Sequence, residues 1–148
     1  MVVLRGIVIW LVLIFAETQH GTARGILLKP HVGDLRARQI GVFTGSIIFF
    51  AVALAFVRWI GANRASQLFG VGVLWVGLTA AFEVSFGRFV LGYSWERIRS
   101  DYDLSKGGLL PIGLVLLALS PYIAGKVRGN VDTSKSEFPR RTFSAARE

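Results

Sequence analysis

Four long apolar stretches alternate with shorter polar ones along the chain. Crossing a hydrocarbon core of about 30 Å takes roughly 20 mostly apolar residues at 1.5 Å rise each. Runs of that size occupy residues 2–20 ("VVLRGIVIWLVLIFAETQH"), 40–60, 68–91 and 107–127. The pattern predicts an all-α fold, an integral membrane four-helix bundle over residues 1–128. Residues 129–148 have no apolar period and predict a flexible basic C-terminal tail.

The polar segments refine this plan. "GANRASQ" is short, so the second and third helices are expected to be antiparallel neighbours. "GTARGILLKPHVGDLRARQ" holds Gly21, Gly25, Pro30 and Gly33 and is expected to be irregular. "GYSWERIRSDYDLSK" sets Tyr93 and Trp95 beside charges, as aromatic rings settle at headgroup level.

A chain that is 53% hydrophobic and only 18% charged is not an ordinary soluble domain. The net charge of +8 comes from basic residues between and after the apolar runs. Anionic lipid headgroups of a bilayer are therefore the expected partner, and nucleic acid is not. With no cysteine, disulfides, thiolate catalysis and thiolate metal sites are excluded. A cleaved signal peptide is the alternative for the first run, but Ile14 stands where a small residue should precede a cut after Ala16. Basic residues divide at about eight on each side, so the positive-inside rule ties. The basic tail tips the choice towards cytoplasmic termini.

The chemistry-bearing residues gather at one end. The first and third helices run in the same direction, and Glu17 and Glu83 each come about 15 residues after their helix starts, about 22 Å along. An isolated carboxylate in hydrocarbon must be neutral, paired or wetted. His20 and Arg24 follow Glu17 at spacings that share its helix face. Arg88 is turned about 140° from Glu83 and is poorly placed to pair with it. Arg36 and Arg38, at the entry of the second helix, are the expected partners of Glu83. The predicted cluster is Glu17, His20, Arg24, Arg36, Arg38 and Glu83, with Arg88 at its edge.

Two readings of this cluster stay open. It binds a small anion or exchanges protons, or it is a salt-bridge lock between loop and helices. His20 and His31 do not form a dense ligand spacing, so no metal and no cofactor are expected. No nucleophile, base and orienting residue can be assigned as a catalytic set. Gly41 and Gly45 form a GxxxG that allows close packing within the chain or against a homo-oligomeric or other membrane-protein partner. "W-x6-E-x3-G" from Trp10 is echoed by "W-x7-E-x3-G" from Trp75, the pattern that a repeated two-helix hairpin would leave.

At "AETQHGTARGILLKPHVGDLRARQIGVFTGS" and "FEVSFGRFVLGYSWERIRSDYDLSKGGLLP" the chain resembles uncharacterised small bacterial integral membrane proteins of four spans. The resemblance covers most of residues 16–111. It implies a bacterial inner membrane and transfers no activity. The expectation is a small membrane protein that binds or moves a small anion or proton through the Glu/His/Arg cluster. The alternatives are a non-catalytic accessory or assembly subunit of a larger membrane complex, and a membrane enzyme acting on lipids.

Overall fold

The computed structural model describes residues 1–129, so the tail predicted for 129–148 lies, apart from Gly129, outside the described residues. Those residues form five helices: α1 (Val2–Val32), α2 (Asp34–Ile60), α3 (Ala65–Val90), α4 (Trp95–Tyr102) and α5 (Leu110–Val127). All but α4 are long and apolar enough to cross a membrane. The chain is an all-α bundle with the make-up of a multi-pass membrane protein.

The bundle closes in the order α1, α2, α5, α3, because α5 packs on both α2 and α3 while α1 packs on the same two from the other side. The short link did not make α2 and α3 packing neighbours; α5 occupies the space between them. Glycines admit it. A Cβ on Gly72 would overlap the carbonyl of Ala118, and one on Gly113 would stand 3.3 Å from Val42. Leu13, Val57, Leu68, Trp75 and Leu117 fill the interior with no exposure. This dry core occupies the half of the bundle nearer the chain's start.

The parallel pair α1 and α3 is tied by two indoles. Trp75 Nε1 donates to the Gly6 carbonyl at 2.9 Å, and Trp10 Nε1 donates to Thr79 Oγ1 at 3.1 Å. Each tie satisfies an N–H that would otherwise be stranded in an apolar interior.

The first connection is not the irregular loop expected from its glycines. α1 runs on to Val32, about 46 Å at 31 residues, and only Gly33 breaks the path, at φ 83°. Gly21 and Gly25 stay helical. Residues Arg24–Leu28 widen into a π turn closed by the Lys29 N–H on the Arg24 carbonyl. A proline ring collides with the carbonyl four residues back in a regular helix, and the widened turn just before Pro30 makes room for it. The second loop is also more ordered than expected. It holds α4, whose start is capped by Ser94 Oγ accepting from Arg97 N–H at 3.2 Å.

Candidate functional site

At the end of the bundle away from the termini, α1, α2, α3 and α5 part around a cavity of about 120 Å³. Its polar wall carries Glu17 and Arg24 from α1, Arg38 from α2, Thr79 and Glu83 from α3, and Asp101 from α4. Ile14, Val42, Phe49 and Leu114 supply apolar wall. The space is enough for about four water molecules.

Glycines on α2 make this room. A Cβ on Gly45 would come within 3.0 Å of Glu17 Oε2, and one on Gly41 would overlap the Arg24 guanidinium. The GxxxG thus seats a carboxylate and a guanidinium inside the chain. Both glycines are buried and are not available as a docking face.

Glu17 contacts His20 through Oε2 and Nδ1 at 3.3 Å, and His20 Nε2 lies 2.7 Å from Thr44 Oγ1. The Thr44 hydroxyl is also within 3.0 Å of the Ile40 carbonyl. Two proton placements satisfy this chain. In one, the hydroxyl donates to Nε2 and Nδ1–H donates to the carboxylate. In the other, Nε2–H donates to the hydroxyl, the hydroxyl donates to Ile40, and a further proton lies between His20 and Glu17. Oε1 of Glu17 is buried with no hydrogen-bond partner among the described residues.

Glu83 has neither a hydrogen bond nor an ion pair among the described residues. It lies about two turns, ~10 Å, inside the Val90 end of a membrane-length helix, enclosed on most sides by protein, yet its side chain is exposed. The two observations agree because Glu83 opens onto the cavity and onto a second, smaller one behind it. Glu17 and Glu83 are also less level than residue counting suggests. The indole ties pair Gly6 with Trp75 and Trp10 with Thr79, an offset of 69 in both cases. That register sets Glu83 beside Ile14, about 4.5 Å short of Glu17.

The expected pairing of Glu83 with Arg36 or Arg38 does not form. Arg36 is exposed and lines no part of the cavity. Arg38 lines the cavity but spends its charge elsewhere: its Nε is 3.1 Å from Asp34 Oδ2, and its Nη1 binds Asp101 Oδ1. Arg97 closes the circuit, with Nη2 at 2.9 Å from Asp34 and Nη1 at 3.0 Å from Asp101. Two carboxylates and two guanidinium groups therefore alternate in a ring that joins the start of α2 to α4. Lys29 adds a contact at 3.0 Å to Asp34. Aspartates beat glutamates here because both aspartates stand one helical turn from a ring arginine on their own helix, so each pair is prearranged.

Arg88 is turned out of the cavity. It donates to the Tyr93 carbonyl at 3.1 Å and lies 5.6 Å over the Trp95 ring, while Arg97 lies 5.3 Å over Tyr93. The aromatic pair beside charges thus holds the approach to α4. Arg24 is the one cavity cation with no hydrogen bond or ion pair among the described residues. His31 is exposed and outside the cavity, and no three His, Asp or Glu side chains gather as a metal-ligand set among the described residues.

Asp34, Arg97, Asp101, Thr44 and Tyr102 were not singled out from the sequence. For the ring the signal was present as D-x3-R at Asp34 and R-x3-D at Arg97, two oppositely ordered pairs on the same side of the bundle. The chain matches no protein-family model, no curated protein and no solved structure.

Proposed function

We propose that this protein exchanges protons through the cavity between α1, α2 and α3. The observation that carries the reading is Glu83, a carboxylate inside a membrane-length helix that faces an open cavity without a partner among the described residues. Intramembrane ionisable groups that lack a structural partner and touch water mark ion and proton pathways.

Charge balance favours a proton over an anion as the occupant. With the ring neutral within itself and Lys29 solvent-exposed outside the cavity wall, the cavity is left with Glu17, Glu83 and the single guanidinium of Arg24. One negative charge is then unbalanced in a low-dielectric region. An added anion worsens this, and one proton relieves it. That proton has two seats, Glu83 or the Glu17–His20 pair, and Arg24 stabilises whichever carboxylate stays ionised. The membrane is the bacterial inner membrane and the termini are cytoplasmic, which puts the ring and α4 on the opposite face.

Purified protein in lipid vesicles with a trapped pH dye tests this. Wild-type vesicles should dissipate an imposed pH gradient, and Glu83→Gln should slow the flux about tenfold or more while helix content is kept. Full flux in folded Glu83→Gln overturns the proposal.

A further inference from the structure

The second cavity shows how Glu83 communicates with water. It measures about 50 Å³, room for one or two waters, and shares Glu83, Asp101 and Leu110 with the larger cavity. Its outer wall is Ile98 and Tyr102 of α4, and the same two side chains line a cleft on the outside together with Trp95, Arg99 and Asp103. Three spaces therefore lie in series. Glu83 and Asp101 separate the first from the second, and Ile98 and Tyr102 separate the second from the surface.

Among the described residues, the bundle is closed towards the termini. Below the large cavity, Leu13, Ala53, Trp75 and Leu117 pack with no exposure, and Ile9 with almost none. A dry plug of that depth holds no continuous water.

We infer that in this conformation Glu83 gains and loses its proton at the α4 face, through the gap beneath α4, with the Tyr102 hydroxyl as the relay between surface water and the carboxylate; passage on to the terminal face requires the dry plug to part. This rests on the proton-exchange reading of Glu83. Ile98 offers no polar atom, and Tyr93 lines the second cavity but not the outer cleft, so among the described residues Tyr102 is the polar group common to both spaces. The phenol is half-buried and forms no hydrogen bond to another described residue, which leaves it free to bond water on both sides. Its burial, and then the charges of Glu83 and Asp101, keep it protonated above its ordinary value of 10.0. A proton arriving from surface water binds the phenol oxygen as the phenolic proton leaves, through a water in the second cavity, for the carboxylate. The hydroxyl is re-formed and the ring carries no charge afterwards. The charged and titratable groups facing Glu83 are Glu17 and Arg24 from α1, Arg38 from α2, Tyr93 from the link before α4, and Asp101 and Tyr102 from α4; the α5 lining, Leu110, Gly113 and Leu114, is uncharged.

The absence of cysteine makes the route directly testable, since a single Leu110→Cys introduces the only thiol, in the wall common to both cavities. Vesicle-embedded protein is exposed to a small charged thiosulfonate on one face at a time, with exposed Leu104→Cys marking the α4 face. Labelling of Leu110→Cys is expected from the α4 face only. Tyr102→Ala should speed it about tenfold or more, and Tyr102→Trp should slow it. Tyr102→Phe should leave labelling unchanged and slow proton flux about tenfold, because the gap keeps its shape and loses its hydroxyl. Labelling from the terminal face, or at a rate indifferent to residue 102, overturns the route; undiminished flux in Tyr102→Phe overturns the relay. Labelling that depends on residue 102, beside full flux in Glu83→Gln, keeps the route and rejects the proton reading.

Discussion

Gly45 of α2 gives up the place of a side chain to the Glu17 carboxylate of α1, whose Oε2 and Oε1 would lie 3.0 and 3.3 Å from a Cβ there. One turn earlier Gly41 does the same for Arg24, more tightly, since the guanidinium and the Cδ at 2.7 Å both crowd that position. Arg24 cannot yield by moving its tip alone. Gly41→Ala is therefore expected to destabilise the protein by ~1–3 kcal/mol, the usual range for overpacking. Arg24→Ala should relieve the crowding, so the double variant should be more stable than the two single effects predict, by ~1 kcal/mol. Thermal unfolding in mild detergent measures both. Additive effects would mean that Gly41 is not making room for Arg24.

Trp75 is the larger anchor of the α1–α3 contact. It has no exposure, and its N–H ends on the backbone carbonyl of Gly6 in a fixed helix. Trp10 is only partly buried, and its acceptor is a hydroxyl that can turn to another partner. Trp75→Phe should cost ~2–4 kcal/mol from the lost volume and the lost hydrogen bond, and Trp10→Phe ~1 kcal/mol. Reversal of that order in chemical denaturation would contradict the ties described above.

The ring of Asp34, Arg38, Asp101 and Arg97 should behave as one unit. Its aspartates are 37% and 27% exposed, so solvent screens each pair and the single contacts are weak. Asp101→Asn removes one of the two negative charges shared by both arginines and loosens the hold on Arg38 at the cavity wall. A double-mutant cycle of Asp101→Asn with Arg38→Gln should give a coupling of ~1–2 kcal/mol. The cycle is to be run at low and high salt, and the coupling should shrink as salt rises, because the ring lies at the bundle's end. Zero coupling at low salt would show that the contacts are incidental.

The elements that could be read from the sequence are those governed by short-range rules. Length and hydropathy identified the spans, and residue spacing placed His20 and Arg24 on the Glu17 face, where Glu17 meets His20 and Arg24 enters the same cavity. What spacing could not decide was competition. Arg38 had Asp34, Glu83 and Asp101 within reach, and the choice depends on α4 folding back over the bundle, a long-range event with no local signature. The register between α1 and α3 was equally hidden, because it is set by two indole hydrogen bonds and not by where the apolar runs begin. The irregular loop was misjudged for a different reason. Glycines are expected to break a helix, but tertiary packing and a π turn keep Gly21, Gly25 and Pro30 helical, and only the positive φ at Gly33 ends it.

Tyr102 offers a spectroscopic check on the second cavity that does not depend on transport. Burial disfavours the phenolate first, and the negative charges of Glu83 and Asp101 add to it, so Tyr102 should ionise above the ordinary 10.0. The chain has two other tyrosines, Tyr93 and Tyr122, so the phenolate absorbance of wild type minus that of Tyr102→Phe isolates the group. The midpoint of that difference should lie above pH 10.0. In a Glu83→Gln background one of the two opposing charges is gone, and the rise should move to lower pH while still lying above the ordinary value, because burial is the larger cause. An unchanged midpoint after removal of the Glu83 charge would place Tyr102 electrically remote from it, and the serial arrangement of the two cavities could not then be correct.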